Sequence, residues 1–243
     1  MAATRIIEVV DADSFGLIPP CADPRFDHRT CDYWEDADRG SKTNRPALLD
    51  VARPSAPARP ALADNPFAPP AAPVLDNPFA SSSALELDDN PFAPVVQRER
   101  PLREGVPRKL ALLDRGRGVF GSYAKVLLAA GEPAAYCQFG PLSAYPRAVR
   151  LRELYPQLPD APLPAVITCI ASTPRARRQG LARRLVEDVI SDLTARGFAA
   201  VEAYPDLTHS EDETSGARPG FWQTVGFAVA VDDERFPVMR REL

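Results

Sequence analysis

A basic segment with one glycine lies between an apolar run and a long amphipathic run in the second half of the chain. The apolar run, 165–171, reads Ala-Val-Ile-Thr-Cys-Ile-Ala, which predicts a strand buried on both faces. In 181–193 apolar residues recur at helical spacing, which predicts an amphipathic helix. Gly197 is placed to end that helix, and 198–204 predicts a second strand. The sequence therefore predicts a β-loop-α-β unit.

The loop of this unit, 177–182, reads Arg-Arg-Gln-Gly-Leu-Ala. A helix begins with backbone N–H groups that lack a partner within the helix, and its dipole places partial positive charge there. With two arginines alongside, these donors predict a site for a diphosphate, and Gly180 lets the backbone approach it closely. The segment matches neither a P-loop nor a Gly-x-Gly-x-x-Gly turn, and an ordinary basic loop is the alternative.

Two motifs in this order resemble one family. Arg177-x-x-Gly180-x-Ala182 resembles the acetyl-CoA-binding motif of the GCN5-related N-acetyltransferases, which is Gln/Arg-x-x-Gly-x-Gly/Ala. Segment 220–228, Gly-Phe-Trp-Gln-Thr-Val-Gly-Phe-Ala, resembles the next helix and strand of that family. Near the N-terminus, 31–35 reads Cys-Asp-Tyr-Trp-Glu and resembles a Cys-aromatic-Trp-Glu segment of one bacterial branch.

The resemblance implies a fold and an activity. The fold is α/β (mixed α+β) and acyl-CoA N-acyltransferase-like, with a central mixed, mostly antiparallel sheet, splayed strands and flanking helices. The activity is acetyl transfer from acetyl-CoA, as co-substrate, to a primary amine of a small molecule or protein. The residues that would bind acetyl-CoA are Cys169, Ile170, Ala171, Arg177, Arg178, Gln179, Gly180, Leu181, Ala182, Arg183, Phe221 and Trp222.

The residues that would move protons depart from the family pattern. Trp222 stands where many members have a tyrosine whose hydroxyl can protonate the leaving thiolate, and an indole does not release a proton near neutral pH. Tyr204 is the nearest substitute as general acid, or it only covers the apolar face of its strand. Glu202, inside that strand, must be paired or have a raised pKa, and a raised pKa suits a general base; a solvent-facing glutamate is the alternative. Trp34 and Glu35 are candidates for the acceptor pocket.

Upstream segments predict the rest of the sheet. Segments 123–129 and 134–139, joined by Ala-Gly-Glu-Pro, predict a hairpin. A short helix is predicted over 147–154 and an opening strand over 5–10.

A Pro/Ala-rich segment, 44–107, separates the two parts of the predicted domain, 1–43 and 108–243. Its composition cannot bury enough apolar surface to offset the entropy of ordering, so we expect a disordered insertion. The segment contains three copies of Asp-Asn-Pro-Phe-Ala, at 64–68, 76–80 and 89–93. Such repeats favour docking of a protein partner through several weak contacts, and duplication without function is the alternative.

Charge and cysteine content exclude several classes of function. The net charge of −4, from 29 basic and 33 acidic residues, predicts no nucleic-acid or membrane partner. No run reaches transmembrane length and no signal peptide is evident, so we expect a cytoplasmic protein, as monomer or homodimer. Cys21, His28 and Cys31 are too few for a closed zinc site, so no metal is expected. Cys137 and Cys169 are expected in the core.

Three hypotheses remain open. The chain is an N-acetyltransferase, a non-catalytic acyl-CoA-binding sensor or scaffold, or an adaptor that acts through the Asp-Asn-Pro-Phe-Ala repeats. No residue pattern identifies the amine acceptor.

Overall fold

The structure is a computed structural model, and it describes residues 3–21, 27–35, 107–208 and 218–243. Apart from Pro107, the predicted insertion and its three repeats lie outside these ranges.

The described chain forms seven strands and six helices. In chain order they are β1 (Thr4–Glu8), α1 (Ala12–Gly16), α2 (Arg108–Asp114), α3 (Arg117–Phe120), β2 (Ala124–Ala129), β3 (Glu132–Pro141), α4 (Pro146–Glu153), β4 (Ala165–Ser172), α5 (Leu181–Ala195), β5 (Ala200–Ala203), α6 (Pro219–Thr224), β6 (Ala228–Val231) and β7 (Val238–Glu242). Single 3-10 turns lie at Leu142–Ala144 and Pro174–Ala176.

The strands form one sheet in the order β1-β2-β3-β4-β5-β7-β6. Neighbouring strands are antiparallel except for β4 and β5, which α5 connects in parallel. The predicted mixed, mostly antiparallel sheet with flanking helices is therefore confirmed.

The β-loop-α-β unit lies at the centre of this sheet. Strand β4 is fourth of the seven strands and is buried on both faces, as its composition predicts. Helix α5 buries its apolar stripe and ends at Ala195. Gly197, the C′ residue, has φ of +81°, the left-handed conformation expected of a glycine at this position.

The hairpin of β2 and β3 is tighter than predicted. Its turn consists of Ala130 and Gly131, with φ of +52° and +87°, because two left-handed residues match the twist of the flanking strands. Pro133 belongs to β3 and pairs with Leu128, next to a register shift. The four-residue connection predicted from the sequence was therefore too long.

Each face of the sheet carries its own apolar core, because side chains alternate along a strand. The α5 face contains Ile167 and Ile170 of β4 with Leu185 and Val189 of α5. The opposite face, called here the tyrosine face, contains Cys169 of β4. Its other members include Tyr33, Tyr136, Tyr145, Leu151 and Tyr204.

Candidate functional site

Strands β4 and β5 separate soon after they meet. Their parallel pairing covers three positions and ends at Ile167 and Ala203. Strand β5 ends at Ala203, whereas β4 continues to Ser172 with β3 as its antiparallel neighbour. The splayed strands expected from the resemblance are therefore present, and β4 has a backbone edge beyond Ile167 that β5 does not cover.

The hydrogen-bond pattern identifies the residues that face this edge. The Thr173 N–H donates to the Ala134 carbonyl oxygen at 2.9 Å. Antiparallel pairing alternates, so Ala171 and Cys169 also direct their N–H groups toward β3. The N–H and C=O groups of Ile170 and Ser172 then point to the β5 side.

A β-bulge lies where the strands part. Gln138 pairs with Cys169 and Phe139 pairs with Ile167, which leaves Thr168 as the extra residue on β4. The bulge shifts the alternation of β4 by one residue, so that Cys169 and Val166 share the tyrosine face. It therefore places the side chain of Cys169 on the face opposite α5.

The loop after β4 leads directly to the start of α5. Gly180 precedes the helix with φ of +75°, and no side chain of the described chain caps the helix. The first backbone bond across its start runs from the Arg184 N–H to the Gly180 carbonyl oxygen at 3.0 Å, so the N–H groups of 181–183 have no partner within the helix. A Cβ built on Gly180 meets no atom of the described chain within 4 Å. This helix start is open to a ligand.

Exposed arginines surround this helix start. Arg175, Arg177 and Arg178 are exposed, and Arg178 has φ of +59°. Arg183 is exposed as well, and its Nε donates to Glu187 at 2.8 Å. The structure therefore contains the basic loop with a glycine that the sequence predicts before this helix.

Glu202 is completely buried and ion-paired. Its Oε1 accepts from Arg240 Nη1 at 2.7 Å, and its Oε2 accepts from Arg152 Nε at 3.2 Å. The Tyr204 hydroxyl donates to the same Oε2 at 2.6 Å. Of the two conditions the sequence allowed for a buried acid here, the structure shows the paired one.

The hydroxyl of Tyr204 is held by this carboxylate. Burial, followed by the negative charge of Glu202, raises the pKa of Tyr204 well above its usual value. A proton bound this firmly is poorly available to a leaving thiolate. These contacts favour a structural role for Tyr204 and Glu202, and their predicted roles as general acid and base stay predictions.

Trp222 lies in the core on the α5 face. It is buried and packs 4.9 Å from the Phe227 ring and 5.3 Å from the Phe221 ring, measured between centroids. Phe221 is partly buried beside it. Their predicted contact with the cofactor stays a prediction.

A second polar group lies on the tyrosine face. Glu35 Oε1 accepts hydrogen bonds from Lys109 Nζ and, at 2.6 Å, from Gln138 Nε2. The Tyr136 hydroxyl donates to Gln138 Oε1 at 3.1 Å, and the His28 ring lies 4.9 Å from the Tyr136 ring. Burial raises the pKa of Tyr136, with Glu35 among the charges that add to this shift. We call these five residues the Glu35 network.

Helix α4 holds the segment that carries Glu35. The Arg147 side chain donates from Nε to the Tyr33 carbonyl oxygen at 2.7 Å and stacks 4.2 Å from the Tyr33 ring. The Arg147 N–H donates to the Trp34 carbonyl oxygen. Trp34 lies 6.4 Å from Tyr204, at the end of β5. The segment therefore crosses the tyrosine face from β3 to β5.

Sequence reasoning selected Glu35 and Trp34 but not their partners. Gln138 is a buried polar residue in an apolar strand, and this was the sequence signal that could have identified it as a partner of Glu35. Lys109 and His28 gave none, because their contacts join segments far apart in the chain.

Two further findings concern the described residues only. No group of three or more His, Cys, Asp or Glu side chains is placed to hold a metal ion within them. None of the helices that the structure describes is both long and apolar enough to span a membrane.

No protein-family model and no curated protein sequence matches the chain. Among solved structures it is similar to Ard1 of Thermoplasma volcanium, with 17% identity over 56% of this chain and 79% of that one and a TM-score of 0.38. It is also similar to a PaiA N-acetyltransferase of Thermoplasma acidophilum in complex with coenzyme A, with 11% identity over 55% and 69% and a TM-score of 0.38. A third is the ribosomal-protein-S18-alanine N-acetyltransferase of Escherichia coli, with 18% identity over 58% and 79% and a TM-score of 0.34. At TM-scores below 0.5 these likenesses do not bear on the function of this chain.

Proposed function

We propose that the chain is an N-acetyltransferase that moves the acetyl group of acetyl-CoA to a primary amine of a small molecule or a protein. The observation that carries this proposal is the uncovered edge of β4, which runs into a basic loop and an open helix start. A ligand that fits both features in series has amide groups at one end and a diphosphate at the other, as coenzyme A does.

The two features support separate parts of this ligand. The N–H and C=O groups of Ile170 and Ser172 would pair with the amides of the pantetheine arm, as an added strand pairs with a sheet edge. The N–H groups of 181–183, with the charge of Arg178, would bind the diphosphate. Of the β4 residues predicted to bind acetyl-CoA, Cys169 and Ala171 direct their N–H groups to β3, so we assign Ser172 beside Ile170 to the pairing with pantetheine.

The same edge supports acetyl transfer. An N–H group of Ile170 aimed at the acetyl carbonyl oxygen would stabilise the negative charge that develops there. Because the hydroxyl of Tyr204 is held by Glu202, the amine itself is the better source of the proton that the leaving thiolate takes up. Transfer then needs an acceptor amine that is neutral when it attacks the acetyl carbon.

Gly180→Glu tests the cofactor assignment. The new carboxylate would lie at the diphosphate, so we expect the affinity for CoA to fall by at least about 100-fold, or roughly 2.7 kcal/mol. Gly197→Glu is the matched control, because Gly197 has the same sign of φ and open space, but lies at the far end of α5. Both variants carry a similar backbone strain of about 1–2 kcal/mol.

Titration calorimetry with CoA gives the readout, and thermal melting shows whether each variant folds. Equal CoA affinity for Gly180→Glu and Gly197→Glu would contradict the assignment of the diphosphate to the start of α5. Release of free thiol from acetyl-CoA in the presence of amines then distinguishes an enzyme from a protein that only binds acyl-CoA.

A further inference from the structure

Two buried acceptor atoms in the Glu35 network lack a donor. Within the described residues, Glu35 Oε2 and His28 Nε2 are buried and form no hydrogen bond. The exposed fractions of the two residues are 6% for the Glu35 side chain and 4% for His28. An unpaired buried polar atom costs on the order of 1–3 kcal/mol, so each is a site where a ligand donor would be favourable.

The chemistry of His28 makes its free atom a base. Its Nδ1 lies 3.0 Å from the carbonyl oxygen of Pro19. A carbonyl only accepts, so Nδ1 carries the proton in the neutral ring and Nε2 has the lone pair. His28 therefore presents a proton acceptor, in the tautomer that Pro19 fixes.

Both atoms belong to side chains that contact β3 opposite the uncovered stretch of β4. Glu35 contacts Gln138, whose partner on β4 is Cys169, and His28 stacks on Tyr136, whose partner is Ala171. Tyr136 and Gln138 are neighbours on one face of β3, about 7 Å apart. Ile170 lies between these two levels.

We propose that the Glu35 network is the acceptor site, that it takes a primary ammonium, and that Glu35 Oε2 binds the ammonium while His28 Nε2 removes its proton. This inference rests on the proposed function and adds the residues that bind the ammonium and remove its proton. Lys109 Nζ pairs with the other oxygen of the same carboxylate, so Oε2 is the oxygen left for the ammonium.

The reaction balances without any further reactant. His28 Nε2 takes one proton from the ammonium and later releases it to solvent. The neutral nitrogen bonds to the acetyl carbon, and the carbon–sulfur bond breaks with its electron pair going to sulfur. A second proton passes from the nitrogen to the thiolate, which gives the amide and the free thiol.

Two substitutions separate the two roles. His28→Asn keeps an N–H donor for Pro19 and removes only the base, so we expect kcat to fall about 100-fold or more with unchanged affinity for CoA. Glu35→Gln removes the charge that binds the ammonium, so we expect the KM of the amine to rise roughly 10- to 100-fold. Asp114→Asn is the control, because Asp114 belongs to α2, the helix that carries Lys109, but pairs with the exposed Arg117, and its kinetics should equal those of the unchanged protein.

The probes are methylamine, tyramine and spermidine, assayed by thiol release at saturating acetyl-CoA, with CoA affinity measured in parallel. The kinetic pattern above supports the inference. Turnover of both variants within about twofold of the unchanged protein would overturn it and leave the proposed function standing, whereas absent CoA binding would remove the proposed function itself. If His28→Asn does not fold, binding of methylammonium to the CoA-saturated unchanged protein is measured instead. A protein that binds CoA but neither binds nor acetylates any probe also overturns the inference.

Discussion

Replacing Glu202 by glutamine separates a structural carboxylate from a catalytic one. In the structure this side chain is fully buried and pairs with Arg152 and Arg240, which come from α4 and β7. Glutamine keeps the size and one acceptor for the Tyr204 hydroxyl, but it removes the charge that both guanidinium groups face. The two arginines are then left close to a neutral, buried amide.

The magnitude follows from what the arginines keep. Removing one partner of a buried ion pair costs about 3–5 kcal/mol. Arg152 retains the Pro159 carbonyl oxygen and Arg240 retains Glu242, so we expect the lower end, about 3 kcal/mol. With an m-value of about 2 kcal/mol/M, the urea midpoint would fall by roughly 1.5 M.

Urea unfolding followed by tryptophan fluorescence measures this change. Glu242→Gln is the matched control: it pairs with the same Arg240 but is 71% exposed, so its effect should stay below about 0.5 kcal/mol. If Glu202→Gln has the stability of the unchanged protein but no longer transfers acetyl groups, then the structural interpretation is refuted and Glu202 is a catalytic base.

Two further predictions concern packing and domain organisation. Gly140→Ala should lower the free energy of unfolding by about 1–3 kcal/mol, since its Cβ would lie 2.7 Å from Tyr123 Cδ1 and 3.1 Å from Tyr145 Cε2; calorimetric melting checks this, and an unchanged midpoint would contradict the tight packing. Deletion of 54–94 should change stability by no more than about 1 kcal/mol, because the Pro/Ala-rich composition contributes little core, and a large drop in melting temperature would show that this segment packs.

The β-loop-α-β unit could be predicted because each of its elements has a pattern within one short, continuous segment of sequence. Apolar composition predicted β4, helical spacing predicted α5, and Gly197 has the left-handed conformation that a helix end favours. Burial of Glu202 was also inferred from its apolar neighbours in β5.

Contacts between segments that are distant in the chain could not be predicted from the sequence. Arg152 and Arg240 are 50 and 38 positions from Glu202, and no periodicity links them to it. The assignment of Ile170 and Ser172 to the uncovered edge depends on the register with β3, which the sequence does not specify. The sequence suggested His28 only as a candidate zinc ligand, because its stacking on Tyr136 is a tertiary contact.

Hydrogen exchange of individual backbone amides, with and without CoA, tests the central claim most directly. We predict that the amides of Ile170 and Ser172 become protected when CoA is added, because the ligand pairs with the edge that β5 leaves uncovered. The amide of Ala171 already faces β3 and should exchange slowly in both conditions. Saturating CoA that leaves the exchange of Ile170 and Ser172 unchanged would contradict the account.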